Sequence, residues 1–517
     1  MTATYGVIDL FAGPGGLNEG FSGLSRDDRR PFRTVISAEM EASAHATLRL
    51  RAFTRAHIAH EGTLPSGYEA FHRNFAASRG SATAAQVWSE HPLWAEAEAE
   101  ARQLTLGSED ARAPIAAASA AAEKVFDELI VIGGPPCQAY SLVGRARNQG
   151  NSDYDAEKDL RHFLFREYIG VLRSLHPAVF VMENVKGILS SSVGGRGVFK
   201  MIMDDLRSLG GGEDALYELI PLSPRTLLRD APQDFIVRAE NHGVPQRRHR
   251  VIIVGVRRDV AAAWRARGGD GTEGLLQASK PATVRDVLAG FPALRSGLSR
   301  EADDPLLWAD VRGDIAKFLA DMPDAEGMAE IEARALRDLP GRMHANALLP
   351  RTSSGSITER QGAPEALIRF LTRAGFQHVA QHDTRAHIRA DLARYMFAAA
   401  VGEAAGVSPK AKDFPEDLAP EHANWASGKF NDRFRAQLWH APSTTVTSHI
   451  AKDGHYFIHP DPTQCRALTV REAARLQTFP DDYLFLGNRT QQYTQVGNAV
   501  PPFLARQIAE AVLGILE

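Results

Sequence analysis

A short apolar run from Tyr5 to Phe11 stops at Ala12-Gly13-Pro14-Gly15-Gly16, after which Leu17, Phe21 and Leu24 recur at helical spacing. The pattern predicts a strand, a glycine turn and a helix. A second such unit starts at Arg33, where an apolar strand runs to the acid Glu39 and another helix follows. Residues from about 51 to 126, rich in Ala, Glu and Arg, interrupt this rhythm and read as an inserted helical segment. Strands are then expected over Val125–Ile132, leading into Gly133-Gly134-Pro135-Pro136-Cys137, and over Pro177–Met182, leading into Glu183-Asn184. A last strong strand, Val251–Val256, follows Gln246-Arg247-Arg248-His249-Arg250. Alternating strands and helices predict an α/β fold, a doubly wound and mostly parallel sheet that places ligands beyond its strand C-termini. The polar clusters at 134–137 and 183–184 then face one crevice.

Beyond residue 258 the alternation fades into irregular sequence with helical patches such as Ala390–Ala400, which reads as a second domain over 259–489. Near the end, Leu468–Leu476 is expected to be helical, with Thr469 as N-cap and Glu472 completing a capping box. A final helix is expected over Pro502–Leu516. The length of 517 residues agrees with two domains, and 44% hydrophobic with 24% charged residues is a globular composition. No apolar run approaches the roughly 18 residues of a membrane span, and no basic leader precedes the first strand, so neither membrane nor secretory signal is expected. A net charge of -4 leaves nucleic acid open, since binding requires only a local basic cleft.

Glycines 13, 15 and 16 between a strand and a helix let the backbone approach a nucleotide-like ligand. The third glycine of a dinucleotide fingerprint is missing, which weakens a nicotinamide reading. Glu39 is placed to accept hydrogen bonds from ribose hydroxyls, a solvated acid at a helix start being the plainer alternative. Two cysteines, Cys137 and Cys465, are too few for a disulfide framework. Two glycines and two prolines before Cys137 imply an exposed, rigid strand end, although a buried structural cysteine is the commoner reading. A reactive thiolate needs a positive or hydrogen-bonding setting. Arg248 and Arg250 are candidates to supply it, and Glu183 adds a proton donor suited to addition at an electron-poor ring.

The ordered motifs Asp9-Leu-Phe-Ala-Gly-Pro-Gly-Gly, Gly134-Pro-Pro-Cys-Gln-Ala-Tyr-Ser, Glu183-Asn-Val-Lys, Gln246-Arg-Arg-His-Arg, Arg471-Glu-Ala-Ala-Arg-Leu-Gln-Thr-Phe-Pro and Gln495-Val-Gly-Asn-Ala-Val-Pro-Pro resemble those of the cytosine-C5 DNA methyltransferases. The resemblance implies a Rossmann-like fold that binds S-adenosylmethionine, releases S-adenosylhomocysteine and needs no metal. It implies a catalytic domain over 1–258, a target-recognition domain over 259–489, and a returning segment, 490–517, that completes the catalytic part. Cys137, Glu183, Asn184, Arg248 and Arg250 would form the catalytic set. Asp9, Phe11, Gly13, Gly15, Gly16, Glu39, Pro136, Leu164, Asn498 and Val500 would line the cofactor. The acid expected beside the cofactor adenine has no clean match, Leu106-Gly107-Ser108-Glu109-Asp110 being nearest.

The implied substrate is double-stranded DNA with the target cytosine flipped out of the stack. Gln138, Ser141, Arg145 and Arg147, in a Gly- and Asn-containing segment after the nucleophile, are expected to touch DNA, as are Ser443, Thr444 and Thr445. Arg385, His387, Arg389, Arg394 and Tyr395 suggest a basic helical patch, with a solvated helix face as the alternative. The resemblance further implies a monomer acting on DNA in the cytoplasm and nucleoid, beside a cognate restriction nuclease or other defence proteins. A tRNA cytosine methyltransferase is the rival within the same chemistry, and a silent DNA-binding relative or a Rossmann oxidoreductase lies further off.

Overall fold

The structure, a computed structural model, describes residues 3–517 except 28, 76–82, 137–163, 194, 211–214, 225–230, 272–273, 323–327, 344–347, 359–361, 377 and 421–432. Its main sheet contains β1 (Tyr5–Leu10), β2 (Phe32–Glu39), β3 (Ala101–Gln103), β4 (Glu128–Gly133), β5 (Val179–Val185), β6 (Tyr217–Ile220), β7 (Ile236–Arg238) and β8 (His249–Arg257). The order is β3-β2-β1-β4-β5-β8-β6, with β7 beside the first residues of β8. Pairing is parallel from β3 to β5, and β8 runs antiparallel to β5, β6 and β7.

Helices cover both faces, which is why the central strands carry apolar side chains in both directions. Val7, Ile130 and Ile132 enter one core, whereas Ile8, Leu10 and Val131 enter the other. The chain leaves β1 toward β2 on one side and takes up β4 on the other, so a crevice opens at the C-terminal ends of β1 and β4. The glycine turn and the Pro-Pro turn both lie at that switch point.

Six helices position the site: α1 (Gly16–Ser22), α2 (Ala42–Glu61), α3 (Leu164–Leu175), α4 (Val470–Leu476), α5 (Arg489–Asn498) and α6 (Pro502–Leu516). α6 lies directly on α1, because a side chain at Gly16 would run into the Val500 carbonyl and one at Gly20 into the backbone of Ala505. Its Leu504, Ala505, Ile508 and Val512 join the core beneath β1. The stretch Arg489–Leu516 is long and apolar enough by composition to cross a membrane. Here it is two helices separated at Ala499–Pro501, with apolar side chains packed into the sheet core.

The region 51–126 differs from a plain helical insertion. It contains β3, which extends the sheet beyond β2, and the helix Glu109–Ala122, whose Ala111 and Ile115 pack on the sheet. The helices Tyr68–Phe75, Ala84–Trp88 and Pro92–Glu100 gather around an aromatic cluster of Phe53, Tyr68, Phe71, Trp88 and Trp94 that also takes in Phe376 and Leu484, and Pro92–Glu100 also touches β2 and β3. The later region has its own core, built by Trp308, Val311 and Ile315 against Tyr395, Met396 and Phe397 of the helix Arg389–Ala405. Residues 468–489 bond to both regions: Leu486 N donates to Thr47 Oγ1 at 2.8 Å and Tyr68 Oη to the Asp482 carbonyl at 2.7 Å, while Arg471 donates to the Ala380 carbonyl and Arg475 to that of Val287.

Candidate active site

β1 delivers the chain into a turn whose backbone is unusual for its residues. Phe11 has φ 56°, in the left-handed region where a bulky side chain is rare and costs about 1–3 kcal/mol. Gly13 and Gly15 follow at φ 57° and 92°. Ala12 N donates to the Ala38 carbonyl at 3.0 Å, and Gly13 N to Glu39 Oε2 at 2.7 Å, so the ends of β1 and β2 are tied together. Space in front of Gly13 is open, since a side chain there would meet nothing within 4 Å. Behind Gly15 it is closed by Leu48 and by Tyr483, whose hydroxyl donates to the Pro14 carbonyl.

Burial raises the Glu39 carboxyl above its ordinary value, opposed by bonds from Glu41 N and Gly13 N. Asp9, 1% exposed, has no hydrogen-bond partner of good geometry among the described residues, and burial with Glu39 nearby raises it well above its ordinary value, opposed weakly by the Ser37 hydroxyl. Its side chain is closed off from solvent at the C-terminal end of β1. Gly16 is likewise buried, serving the approach of Val500. Pro136 and Leu164 are half-buried, and Asn498 is exposed at the end of α5. Met40, 59% exposed directly after Glu39, adds an apolar rim that the sequence reading missed. An open glycine turn, a desolvated carboxylate and an apolar rim fit an adenosyl cofactor. The segment Leu104–Ser108 leaves β3 beside this rim, with Leu104 N bonded to the Glu39 carbonyl at 3.0 Å.

Across the switch point, Glu183 and Arg250 pair. Glu183 opposes Ile252 in the β5–β8 register and Arg250 opposes Val185, so the two project from one sheet face on a diagonal. Arg250 Nε lies 2.9 Å from Glu183 Oε1, with both side chains mostly buried. Burial lowers the Arg250 guanidinium from its ordinary value, and the Glu183 carboxylate opposes that shift. The other oxygen, Oε2, sits against Gly134, where a side chain would approach to 3.0 Å. Asn184 donates from Nδ2 to the Pro135 carbonyl at 3.1 Å, while its Oδ1 accepts from Val185 N at 2.8 Å. The acid and the Pro-Pro turn are thus one assembly. Cys137 lies outside the described residues, as do Gln138, Ser141, Arg145 and Arg147.

Arg248 has a different place from the one expected. Its guanidinium, 2% exposed, donates to the carbonyls of Val446 at 2.8 Å and Gly497 at 3.2 Å. It ties its own stretch to two distant segments, while Arg250 and Glu183 lie close enough for their charges to act on it. Ser443 is also a correction: it is 1% exposed, and its backbone bonds with Pro245 and Arg247. Thr444 bonds to Gln437, and Thr445 Oγ1 donates to the Arg247 carbonyl at 2.5 Å, which leaves this segment docked on the Gln246–Arg248 stretch. The basic patch is consumed internally too. Arg389 pairs with Glu301, Arg394 with Asp391, Arg385 stacks 4.2 Å from the Tyr493 ring centroid, and Tyr395 Oη bonds with His387 and His455.

The motif starting at Arg471 is a buried polar frame. Arg471 donates to the carbonyls of Ala380, Pro480 and Tyr483, and Arg475 grips Asp481 through two nitrogens at 2.9 and 2.7 Å. Gln477 links Gln246 to the carbonyls of Val496 and Ala499. Cys465 is buried, and burial pushes its thiol up to about 12, so it is inert as a nucleophile near neutral pH.

A switch-point crevice with a glycine turn on one side and an acid–guanidinium pair on the other defines a Rossmann-like methyltransferase. Residues 118–290 and 371–514 match the model of the C-5 cytosine-specific DNA methylase family, and the chain belongs to that family. It is a DNA (cytosine-5-)-methyltransferase, for which S-adenosylmethionine is the methyl donor. It is 31% identical to the type II methyltransferase M.Bpa9945I of Bacillus paralicheniformis over 99% of both chains. It is 26% identical, also over 99% of both chains, to the DNA (cytosine-5-)-methyltransferase M.ApeKI of Aeropyrum pernix. A solved E. coli prophage protein, described as a DNA modification methyltransferase, shares the fold with TM-score 0.51 and 18% identity over 99% of both chains.

Proposed function

We propose that the enzyme methylates carbon 5 of a cytosine flipped out of a specific duplex sequence, with Cys137 as covalent nucleophile. The observation that carries this reading is the Glu183 carboxylate, held at 2.9 Å by Arg250 and lying against Gly134, three residues before Cys137. The Cys137 thiolate adds to carbon 6, and the ring electrons move toward nitrogen 3, to which Glu183, in its carboxylic acid form when the base is bound, gives a proton from the oxygen not held by Arg250. Arg250 contacts the base carbonyl oxygen and keeps the Glu183 carboxyl oriented. Asn184 acts on the nucleophile by fixing the Pro135 carbonyl, and Arg248 fixes the strand that carries Arg250. S-adenosylmethionine, when bound, supplies the electrophilic methyl group and leaves as S-adenosylhomocysteine. Carbon 5 takes that methyl group, a solvent base removes its proton, and the electron pair left behind re-forms the 5,6 double bond as the thiolate departs and nitrogen 3 returns its proton to Glu183.

Glu39 would hold the cofactor ribose, and Phe11, Gly13, Gly15, Pro136, Leu164, Asn498 and Val500 would bound it. Residues 1–258 and the returning segment would form the catalytic domain, with target recognition in the intervening region. Residues 291–370, outside the family match, support that division. Gln138, Ser141, Arg145 and Arg147 would reach the duplex as the segment after Cys137 closes on it. The relatives' type II names support a role beside a restriction nuclease.

The test is transfer of labelled methyl groups to duplex DNA and to tRNA, with trapping on 5-fluorocytosine DNA. Wild type labels DNA and is trapped. Cys137→Ser abolishes both, and Glu183→Gln lowers kcat/KM by roughly 100-fold or more. A trapped adduct persisting in Cys137→Ser would remove the assignment.

A further inference from the structure

A cavity of about 970 Å³ lies away from the catalytic crevice. Its wall includes Arg30, two residues before β2, together with Gly23 and Gly62, the C-caps of α1 and α2. These mark the N-terminal edge of the sheet, whereas Glu39 ends β2 at the opposite edge. Eight residues of strand separate the two by roughly 25 Å.

The wall is rich in one kind of charge. Arg30, Arg51, Arg55, Arg369, Arg373 and Arg506 line it, against the carboxylates of Glu19, Glu69 and Asp482. Arg51 bonds Glu19 at 2.9 Å and lies 3.3 Å from Asp482, and Arg373 bonds Asp482 at 2.5 Å, so those two acids are already engaged. Arg55 pairs with Glu100. Arg30 is the exception. Its guanidinium makes one long bond, 3.5 Å, to the Arg55 carbonyl, and no carboxylate lies within ion-pair distance among the described residues. Burial and the neighbouring Arg55, Arg373 and Arg51 lower it from its ordinary value, and the Glu19 carboxylate opposes them only in part. Half-buried cations crowded in this way are stabilised by an anion, and guanidinium forks match phosphate oxygens in pairs. The rest of the wall mixes hydroxyls, Ser22, Thr63 and Thr372, with the apolar Ile58, Leu64 and Phe370, and the volume far exceeds that of a lone phosphate.

We propose that this cavity binds a nucleoside polyphosphate, its phosphates centred on Arg30 and shared by Arg55 and Arg373 alongside their carboxylate pairs, and its base against Phe370. The test is isothermal titration of the full chain, saturated with S-adenosylmethionine, using ATP, GTP and inorganic pyrophosphate at constant ionic strength. One nucleoside triphosphate should bind at 1:1 and more tightly than pyrophosphate. Arg30→Gln should weaken it at least tenfold while methyl transfer stays within twofold of wild type. Arg369→Gln, at an exposed wall position, should give a smaller loss and serves if Arg30→Gln fails to fold. Absence of saturable binding, affinity unchanged in Arg30→Gln, pyrophosphate binding equal to the nucleotides, or displacement by duplex DNA would each overturn the proposal.

Discussion

Asn184 follows the acid that handles the base, yet its amide turns to the Pro135 carbonyl, two residues before Cys137. A side chain in that position sets where the nucleophile starts without needing to touch the substrate. Asn184→Ala should therefore lower kcat by roughly 10- to 100-fold, with KM for DNA nearly unchanged, since small displacements of reacting atoms cost that much. Single-turnover and steady-state rates would show it, and an unchanged kcat would remove the positioning role. Glu183 and Arg250 were legible in the sequence because they lie on strands that the apolar pattern marks clearly. Arg248 was not separable from Arg250 by spacing, as residues two apart on a strand share a face. What separates them is a pair of carbonyls, Val446 and Gly497, that lie 198 and 249 positions away along the chain.

At the scale of elements, the glycine turn is rigid because α6 presses on α1. A methyl group at Gly20 would enter the backbone of Ala505, which the two packed helices have no room to relieve. Gly20→Ala should cost about 1–3 kcal/mol in urea unfolding, and should also weaken S-adenosylmethionine binding, because Gly16 and the turn must shift with α1. Loss of stability with cofactor affinity intact would argue against that linkage. The strand–turn–helix unit, the helix after Thr469 and the last helix could all be read in advance from strong local periodicity and capping. β3 could not. Three residues, Ala101–Gln103, carry no alternation to detect, and they are strand only because β2 offers an unpaired edge.

For the whole molecule, buried ionisable groups tie folding to pH. His382, His387 and His459 are pushed down by burial to about 4, 3 and 3. Each stays neutral in the folded chain while the unfolded chain takes up a proton near pH 6.5, so stability falls as pH drops from 6.5 toward 4. Asp482, held down to about 2 by Arg51 and Arg373 against its desolvation, extends the loss below pH 4, where the unfolded carboxyl protonates first. Calorimetry should record Tm falling continuously over both windows, by several degrees on the order expected for such shifts, and a flat Tm between 6.5 and 4 would contradict it.

One side of the crevice is laid down by the first twenty residues and braced by Tyr483 and Val500. A ribosome makes these parts in that order. The glycine turn must therefore wait, its apolar flank uncovered, until synthesis has passed Val500.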